Sequence, residues 1–431
     1  MKQKKIGTTL YVFDTTAYQI TEDTDAAVIK IQLECIPAFE LLNESLKDKF
    51  EPINYKLYCV QHPEWADYYD DLEIIIAPTT NGTVTVSPAS ADMGEEVTIT
   101  TTPDAGYKLD TLTVMCGDVE VQVTDNKFTM PVESVVVTAT FEVLPYEEQY
   151  FTLEATKDGG SLTIKTEYID GGGDVYVSED KGQTWNLLDG DTTYSNIQTG
   201  NTYSVKYVGN KFVYDYGSSS PFDINEAEFK VYGNAMSLIY GDEFIGKTSF
   251  PKNSNGNLSY LFYGVQGLTD ASNLILPATT LTNDCYRSMF ETCVRLNAAP
   301  ELPATTLANS CYYSMFNGCT SLTTAPELPA TTLTDSCYAK MLKNCTSLTT
   351  APELPATTLT DSCYLEMFQS CSSLNYIKCL ATDKHGTNCC SRWVSGVAAT
   401  GTFVKAASMT WGTGTAGIPS GWTVEDYTPS V

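Results

Sequence analysis

The sequence predicts a multidomain, mainly β protein. In order along the chain we expect a small α+β module, β-sandwich modules and a C-terminal solenoid of short repeats closed by a β-rich cap. The 431 residues suffice for several domains. Twenty-seven Tyr residues together with many Thr favour strands. A phrase that contains LPATTL, CY and a second cysteine recurs at intervals of 26 residues, as stacked architectures require.

Charge and composition exclude several functions. A net charge of −28 repels phosphate backbones, so we expect no nucleic-acid partner. The sequence has no EF-hand-type Ca²⁺ loop and only two histidines, so we expect no metal, no cofactor and no hydrolytic triad. It contains no apolar run of about 18 residues, which predicts no membrane insertion. The basic start of the chain is not followed by an apolar core, so we expect no signal peptide.

Residues 1–75 are interpreted as a small α+β module. AAVIKIQL (26–33) and YKLYCV (55–60) read as strands, and AFELLNESLKDKF (38–50) has the apolar spacing of an amphipathic helix. Residues 76–144 alternate short strands with Gly, Pro and Asp turns, which predicts an all-β sandwich.

Residues 145–227 are predicted to be a second β domain that contains one tight hairpin. Its sequence VYVSEDKGQTWNLL resembles the Asp-box pattern known from sialidases. In that pattern the serine and aspartate brace the turn and the tryptophan packs beneath it, so we interpret it as a folding device. The residues concerned are Ser178, Asp180, Gly182 and Trp185.

The repeats occupy the predicted solenoid, residues 228–383, and residues 384–431 are its predicted cap. Asp361 and Ser362 can cap a helix over 360–371, where Cys363, Tyr364, Met367, Phe368 and Cys371 share one face. SLTTAPELP reads as a strand with a turn. The predicted repeat core comprises Cys285, Met289, Cys293, Cys311, Met315, Cys319, Cys337, Met341, Cys345, Cys363, Met367 and Cys371.

Two alternatives to buried thiols are disulfides and a metal site. The regular cysteine spacing without any CxxC argues against both, and a small apolar side chain that packs repeat on repeat explains the copies. The opposite face of the predicted helix varies between copies. Its variation is explained either by simple exposure or by partner binding, for which the candidates are Arg287, Tyr313, Lys340 and Glu366.

The unit LPATTL, CYxxMF and C(T/S)SLTTAPELP resembles the BspA-like leucine-rich repeats of Bacteroidales surface proteins and of phages that infect these bacteria. The resemblance covers roughly residues 230–425 and implies a β/α leucine-rich-repeat solenoid that binds host proteins or cells. Residues 76–143 are similar to Ig-like bacterial repeat modules of adhesins, with the pattern GxV, GY, FxMP and VxAxF.

These resemblances lead us to expect a non-enzymatic fibre or decoration protein on the surface of a phage particle. Its N-terminal module would bind other virion proteins, and its solenoid would contact a host surface protein or glycan. Fibres are commonly trimers, although no heptad in this chain supports a number. The alternatives are a bacterial cell-surface adhesin and, third, a glycosidase, for which the sequence pairs no two carboxylates.

Overall fold

The computed structural model describes residues 3–6, 8–12, 25–32, 44–53, 72–92, 94–104, 106–131, 133–166, 174–208, 220–251 and 255–428. They fall into two compact units, residues 1–143 and 144–431. None of the described helices has the length and apolar character needed to cross a bilayer.

The first unit begins with a four-stranded sheet of order β1-β2-β3-β4. Its strands are β1 (Gln3–Ile6), β2 (Thr9–Val12), β3 (Val28–Gln32) and β4 (Phe50–Ile53). The first pair is antiparallel and the other two are parallel. The strand expected within 26–33 is therefore confirmed. The helix expected over 38–50 is wrong at its end, because the described residues form a 3₁₀ helix, Glu44–Lys49, and Phe50 already begins β4. The strand expected at 55–60 lies outside the described residues.

The same unit contains a two-sheet sandwich. The strands are β5 (Leu72–Ile76), β6 (Gly82–Ser87), β7 (Ser90–Ala91), β8 (Glu96–Pro103), β9 (Tyr107–Cys116), β10 (Val119–Val121), β11 (Lys127–Thr129) and β12 (Val135–Val143). One sheet has the order β10-β9-β12-β5-β7 and the other β11-β8-β6. Alternate residues of β12 point inward, where Val135 and Val137 are fully buried against Val97 and Phe128.

The second unit begins with two further sheets, of order β16-β15-β18-β13-β20-β21 and β17-β14-β19. The strands are β13 (Thr152–Lys157), β14 (Ser161–Ile164), β15 (Asp174–Ser178), β16 (Asn186–Leu187), β17 (Thr192–Ser195), β18 (Thr202–Val208), β19 (Phe222–Asn225), β20 (Glu228–Asn234) and β21 (Leu268–Ile275). One short helix, α1 (Ser237–Tyr240), and 3₁₀ turns at Tyr146–Glu148 and Gly241–Glu243 accompany them. The domain boundary predicted at 227/228 falls at the start of β20, inside this sheet. One buried core continues from Phe151 to Trp422.

The repeats stack in register, but each copy is a run of turns and the predicted helix over 360–371 is wrong. Alternate amides have different partners. The Leu365 amide donates to the Ser362 carbonyl three residues back (3.1 Å), whereas the Tyr364 amide donates to the Cys389 carbonyl of the next copy (2.8 Å). Because every second amide bonds to the neighbouring copy, those amides are not available for the i→i−4 bonds of an α-helix.

Backbone dihedrals explain why the run of turns does not continue as a helix. Every fourth residue has a positive φ, as at Ser362 (53°), Glu366 (52°) and Ser370 (63°). A left-handed residue at this interval ends each turn and starts the next. The apolar side chains therefore still share one face, although the backbone is not helical. We call these stacked runs, from residue 255 to residue 396, the repeat stack.

Aromatic rings stack along the repeat axis. Phe262, Phe290 and Phe316 follow one another at 5.4 Å between centroids. A parallel column joins Tyr286, Tyr312, Tyr338, Tyr364 and Trp393 at 5.6 to 6.2 Å. All twelve Cys and Met residues of the predicted repeat core are 0% exposed.

The second cysteine of each copy is held by the copy before it. The Cys319 thiol donates to the carbonyl of Phe290 (3.1 Å), and the Cys345 thiol donates to that of Phe316 (3.2 Å). A side chain that is small, apolar and a weak donor fits this position, which accounts for its repetition.

The segment predicted as a strand in each copy mostly forms isolated parallel bridges, such as the one from Thr350 to Tyr376. Apart from β21 in the first copy, the regular strands described in this part of the chain lie at the cap end, where β22 (Tyr376–Cys379), β23 (Thr402–Ala406) and β24 (Thr423–Tyr427) are parallel and adjacent. Trp393, Trp411 and Trp422 are buried at this end of the repeat stack. Of these three strands, β23 and β24 lie in the predicted cap of residues 384–431, whereas β22 precedes it.

Candidate functional site

Three of the four candidate binding residues lie in contact on the repeat stack. The guanidinium carbon of Arg287 is 4.4 Å from the ring centroid of Tyr313, and the Lys340 ammonium is 5.3 Å from the same centroid. Arg287 belongs to the preceding copy and Lys340 to the following one. One tyrosine ring therefore interacts with a cation from each neighbour.

Glu366, the fourth candidate, does not share this environment, and it is not exposed as the sequence predicts. Its side chain is 4% exposed and accepts hydrogen bonds from Lys343 (2.8 Å) and from Arg392. Desolvation acts to raise the pKa of Glu366, but Lys343 and Arg392 outweigh it and the pKa is lowered. The expectation of an exposed, variable position is wrong here because neighbouring copies cover the carboxylate.

Two tyrosines that sequence reasoning missed extend the line toward the start of the stack. Arg287 Nε donates to the Tyr260 hydroxyl (3.3 Å), and the Tyr260 and Tyr263 rings meet edge to face at 5.6 Å. Both belong to the degraded first copy, where Tyr and Gly replace the repeated residues, so spacing alone could not align them. We call Tyr263, Tyr260, Arg287, Tyr313 and Lys340 the tyrosine–cation stripe. All five side chains are half-buried.

Most of the cations near this stripe have carboxylate partners. Arg287 pairs with Asp284 at 3.1 Å, and Lys343 and Arg392 pair with Glu366. The Lys340 ammonium makes no hydrogen bond or ion pair to any residue that the structure describes, although the Lys340 backbone amide donates to the Leu365 carbonyl (2.8 Å). Its ammonium is therefore the position at which an external anion would meet least competition.

A row of amide side chains lies on the same runs of turns. Asn317 Nδ2 donates to Glu291 (2.7 Å), and Asn344 Nδ2 donates to Asn317 Oδ1 (3.0 Å). These contacts link three successive copies. They place side-chain amides, whose nitrogens donate and whose oxygens accept hydrogen bonds, on the runs of turns that carry the stripe.

A groove of about 490 Å³ opens at the first copy, where Tyr263 and Gln266 face β19. Arg295 and Lys165 line it, and so do Asp223 and Glu226. Arg295 also pairs with Glu228 (2.7 Å) outside the groove. Cations and carboxylates are balanced here, so the groove has no clear preference for a charge.

The predicted Asp box has the geometry of a braced turn between β15 and β16. Ser178 Oγ donates to Asp180 Oδ1 (2.6 Å) and accepts from the Gly182 amide (2.7 Å), and Trp185 Nε1 donates to the Gly182 carbonyl (3.0 Å). Thr184 donates to both carboxylate oxygens of Asp180. Desolvation acts to raise the pKa of Asp180, but these hydrogen bonds dominate and lower it to about 2.

The adjacent Cys389 and Cys390 belong to the last run of turns, and both are buried. The hydrogen bond from the Cys390 thiol, with help from the Lys384 ammonium, lowers the pKa of Cys389 below its ordinary value. Burial raises the pKa of the repeated thiols instead, for example that of Cys285 to about 12.

Comparison with known families classifies one module. Residues 72–145 match the family of the divergent InlB B-repeat domain, a bacterial Ig-like repeat. The match begins at β5 and ends just after β12, so it coincides with the two-sheet sandwich. The expectation of an Ig-like bacterial module is confirmed. None of the curated proteins and none of the solved structures matches the chain.

Proposed function

We propose that this chain is a non-enzymatic adhesive protein that contacts a cell surface through its repeat stack. The observation that carries the proposal is the tyrosine–cation stripe, in which half-buried Tyr and Arg side chains from successive copies meet in one line. Tyr and Arg are the residues that most often dominate binding energy at interfaces. The stack holds them rigidly, because each copy bonds to the next through every second amide.

The repeat stack is proposed to be a BspA-like leucine-rich-repeat solenoid in which runs of turns replace the helices. Its support is the recurring buried leucine of each copy, at Leu302, Leu328 and Leu354, together with the parallel bridges on that side. Each copy has too little core of its own, so its apolar face is buried by its neighbours.

The protein is further proposed to be displayed on a phage particle that infects Bacteroidales, as a fibre or capsid decoration. Its support is the resemblance of the repeat unit to repeats found in phages that infect these bacteria. The N-terminal sheet would then bind other virion proteins. The bacterial Ig-like repeat at 72–145 favours a second candidate, an adhesin of the bacterial surface itself.

Two measurements test these proposals. The labelled full chain is incubated with Bacteroidales cells and with mucosal cells, and bound protein is compared with that of the double variant Arg287→Gln/Lys340→Gln. Saturable binding that the variant loses supports adhesion, whereas no binding to either cell type refutes it. Gold-labelled antibody then locates the chain: label on purified particles supports virion display, and label on uninfected cells refutes it in favour of the bacterial adhesin.

A further inference from the structure

We infer that the tyrosine–cation stripe binds an acidic polysaccharide, a sugar chain that carries carboxylate or sulfate groups and lies along the axis of the repeat stack. The inference rests on the proposed adhesive function and specifies its ligand. It depends on three features of the stripe, namely its direction, its charge and the polar groups beside it.

The direction of the stripe favours a linear polymer. Tyr260, Arg287, Tyr313 and Lys340 come from four successive copies, so the stripe runs along the stack and not across it. Successive copies are separated by about the distance between stacked rings, which is 5.4 Å between the ring centroids of Phe290 and Phe316. That spacing is close to the length of one sugar residue in an extended polysaccharide. Each sugar residue of such a polysaccharide would therefore contact one copy of the repeat.

The charge around the stripe favours an anion. The cations of the stripe and of the groups bonded beside it are Arg287, Lys340, Lys343 and Arg392. The carboxylates beside them are Asp284, Glu291 and Glu366, which leaves a formal surplus of one positive charge. Glu366 is already bonded by Lys343 and Arg392, so the Lys340 ammonium is the cation in surplus. The whole chain carries a charge of −28, and an acidic polymer is repelled from most of its surface. The surplus positive charge at Lys340 therefore determines where on the surface such a polymer would bind.

The neighbouring polar groups suit sugars better than the other polyanions. Asn317 and Asn344 present amides on the same runs of turns, and the tyrosines contribute hydroxyl groups. A nucleic acid would need many phosphate contacts, typically about 6–10 cations, which this stripe does not offer. A protein partner would need a large desolvated anchor in a pocket, whereas Arg287 and Lys340 already contact the Tyr313 ring.

The binding test uses the full chain and three immobilised polymers, dextran sulfate, polygalacturonate and unmodified dextran. We expect binding to both acidic polymers, weakening with salt, and none to dextran. Lys340→Gln should weaken binding by about 1.4- to fivefold, the range measured for single exposed charge pairs. Lys247→Gln is the matched control, because the Lys247 ammonium also lies over a tyrosine, Tyr240, at 5.2 Å, but outside the stripe. It should leave the affinity unchanged.

Equal binding to dextran, or equal losses in Lys340→Gln and Lys247→Gln, would overturn the inference. Thermal unfolding of both variants must match that of the parent, so that a loss of binding cannot come from misfolding. Cell binding separates this inference from the proposed function. If the chain binds cells but neither Lys340→Gln nor periodate treatment of cell-surface glycans reduces it, the ligand is not a polysaccharide and the adhesive function stands. If the chain binds neither cells nor acidic polymers, both are wrong.

Discussion

Thr292 offers the sharpest test of the runs of turns, because a helix and a turn run predict opposite effects at that residue. Its φ is 62°, a left-handed conformation that is unfavourable for a β-branched side chain. Its amide donates to the Asn317 carbonyl of the next copy at 2.7 Å. The test compares Thr292→Gly with Thr292→Ala. Both changes remove the methyl group that lies near Gly318, so this loss cancels in the comparison.

The expected difference follows from the backbone. A left-handed conformation costs a residue with a Cβ about 1–2 kcal/mol, and glycine escapes this cost. Glycine loses about 0.4–1 kcal/mol of that advantage because its unfolded chain has more freedom. Thr292→Gly should therefore be more stable than Thr292→Ala by up to about 1.6 kcal/mol, with a central value of about 0.8 kcal/mol. In a helix the order reverses, with glycine about 1 kcal/mol less stable than alanine.

Urea unfolding of the full chain, followed by far-UV circular dichroism, measures the difference between the two variants. Glu291 supplies the control, since it precedes Thr292 and is not among the residues with positive φ. Both substitutions there lose the hydrogen bond from Asn317 equally, and alanine should be the more stable of the two. If Thr292→Ala proves more stable than Thr292→Gly, the turn run is refuted and a helix is restored.

Three further predictions concern the core, the thiols and the Asp box. Phe316→Ala should destabilise the repeat stack by about 3–5 kcal/mol, since the ring is 0% exposed and stacks on Phe290; a loss below about 1 kcal/mol in urea unfolding would contradict the stacking. The repeated cysteines are free thiols, so reductant should leave Tm unchanged, and alkylation read by mass spectrometry should modify Cys389 before Cys285. Asp180 has a folded pKa of about 2 against an ordinary 3.8, so its contribution to stability is present above pH 4 and is lost as pH falls toward 2. Asp180→Asn should abolish that part of the acid dependence, and an unchanged pH profile would show that the carboxylate does not brace the turn.

The burial of the repeated core residues could be predicted from the sequence because the repeat itself is visible there. A step of 26 residues brings equivalent positions into contact, so Cys311 and Cys337 were expected to be buried together, and both are 0% exposed. The sandwich was predictable because apolar residues alternate along β8 and β12 between clear turn signals.

The conformation within each copy was harder to predict. Apolar residues at Cys363, Tyr364, Met367, Phe368 and Cys371 recur at intervals of four, which suits a helix face as well as turns of four residues. The residue types at the left-handed positions are the signal that distinguishes a run of turns from a helix. Gly264, Asn344 and Gly396 occupy the last of them in their own copies. Glycine and asparagine are unfavourable inside a helix and favourable in the left-handed region.

The binding surface could not be predicted from any one copy, as Lys340 and Glu366 demonstrate. The two residues occupy equivalent positions 26 residues apart, and both have a left-handed backbone. Glu366 is buried because Lys343 of the preceding copy and Arg392 of the following copy bond to it. Lys340 stays half-buried because the copies beside it offer a tyrosine ring and an already neutralised carboxylate. The residues of the neighbouring copies therefore determine whether a variable position of this stack is accessible to a ligand. A copy transferred to another place in the array would keep its buried core but not its binding properties.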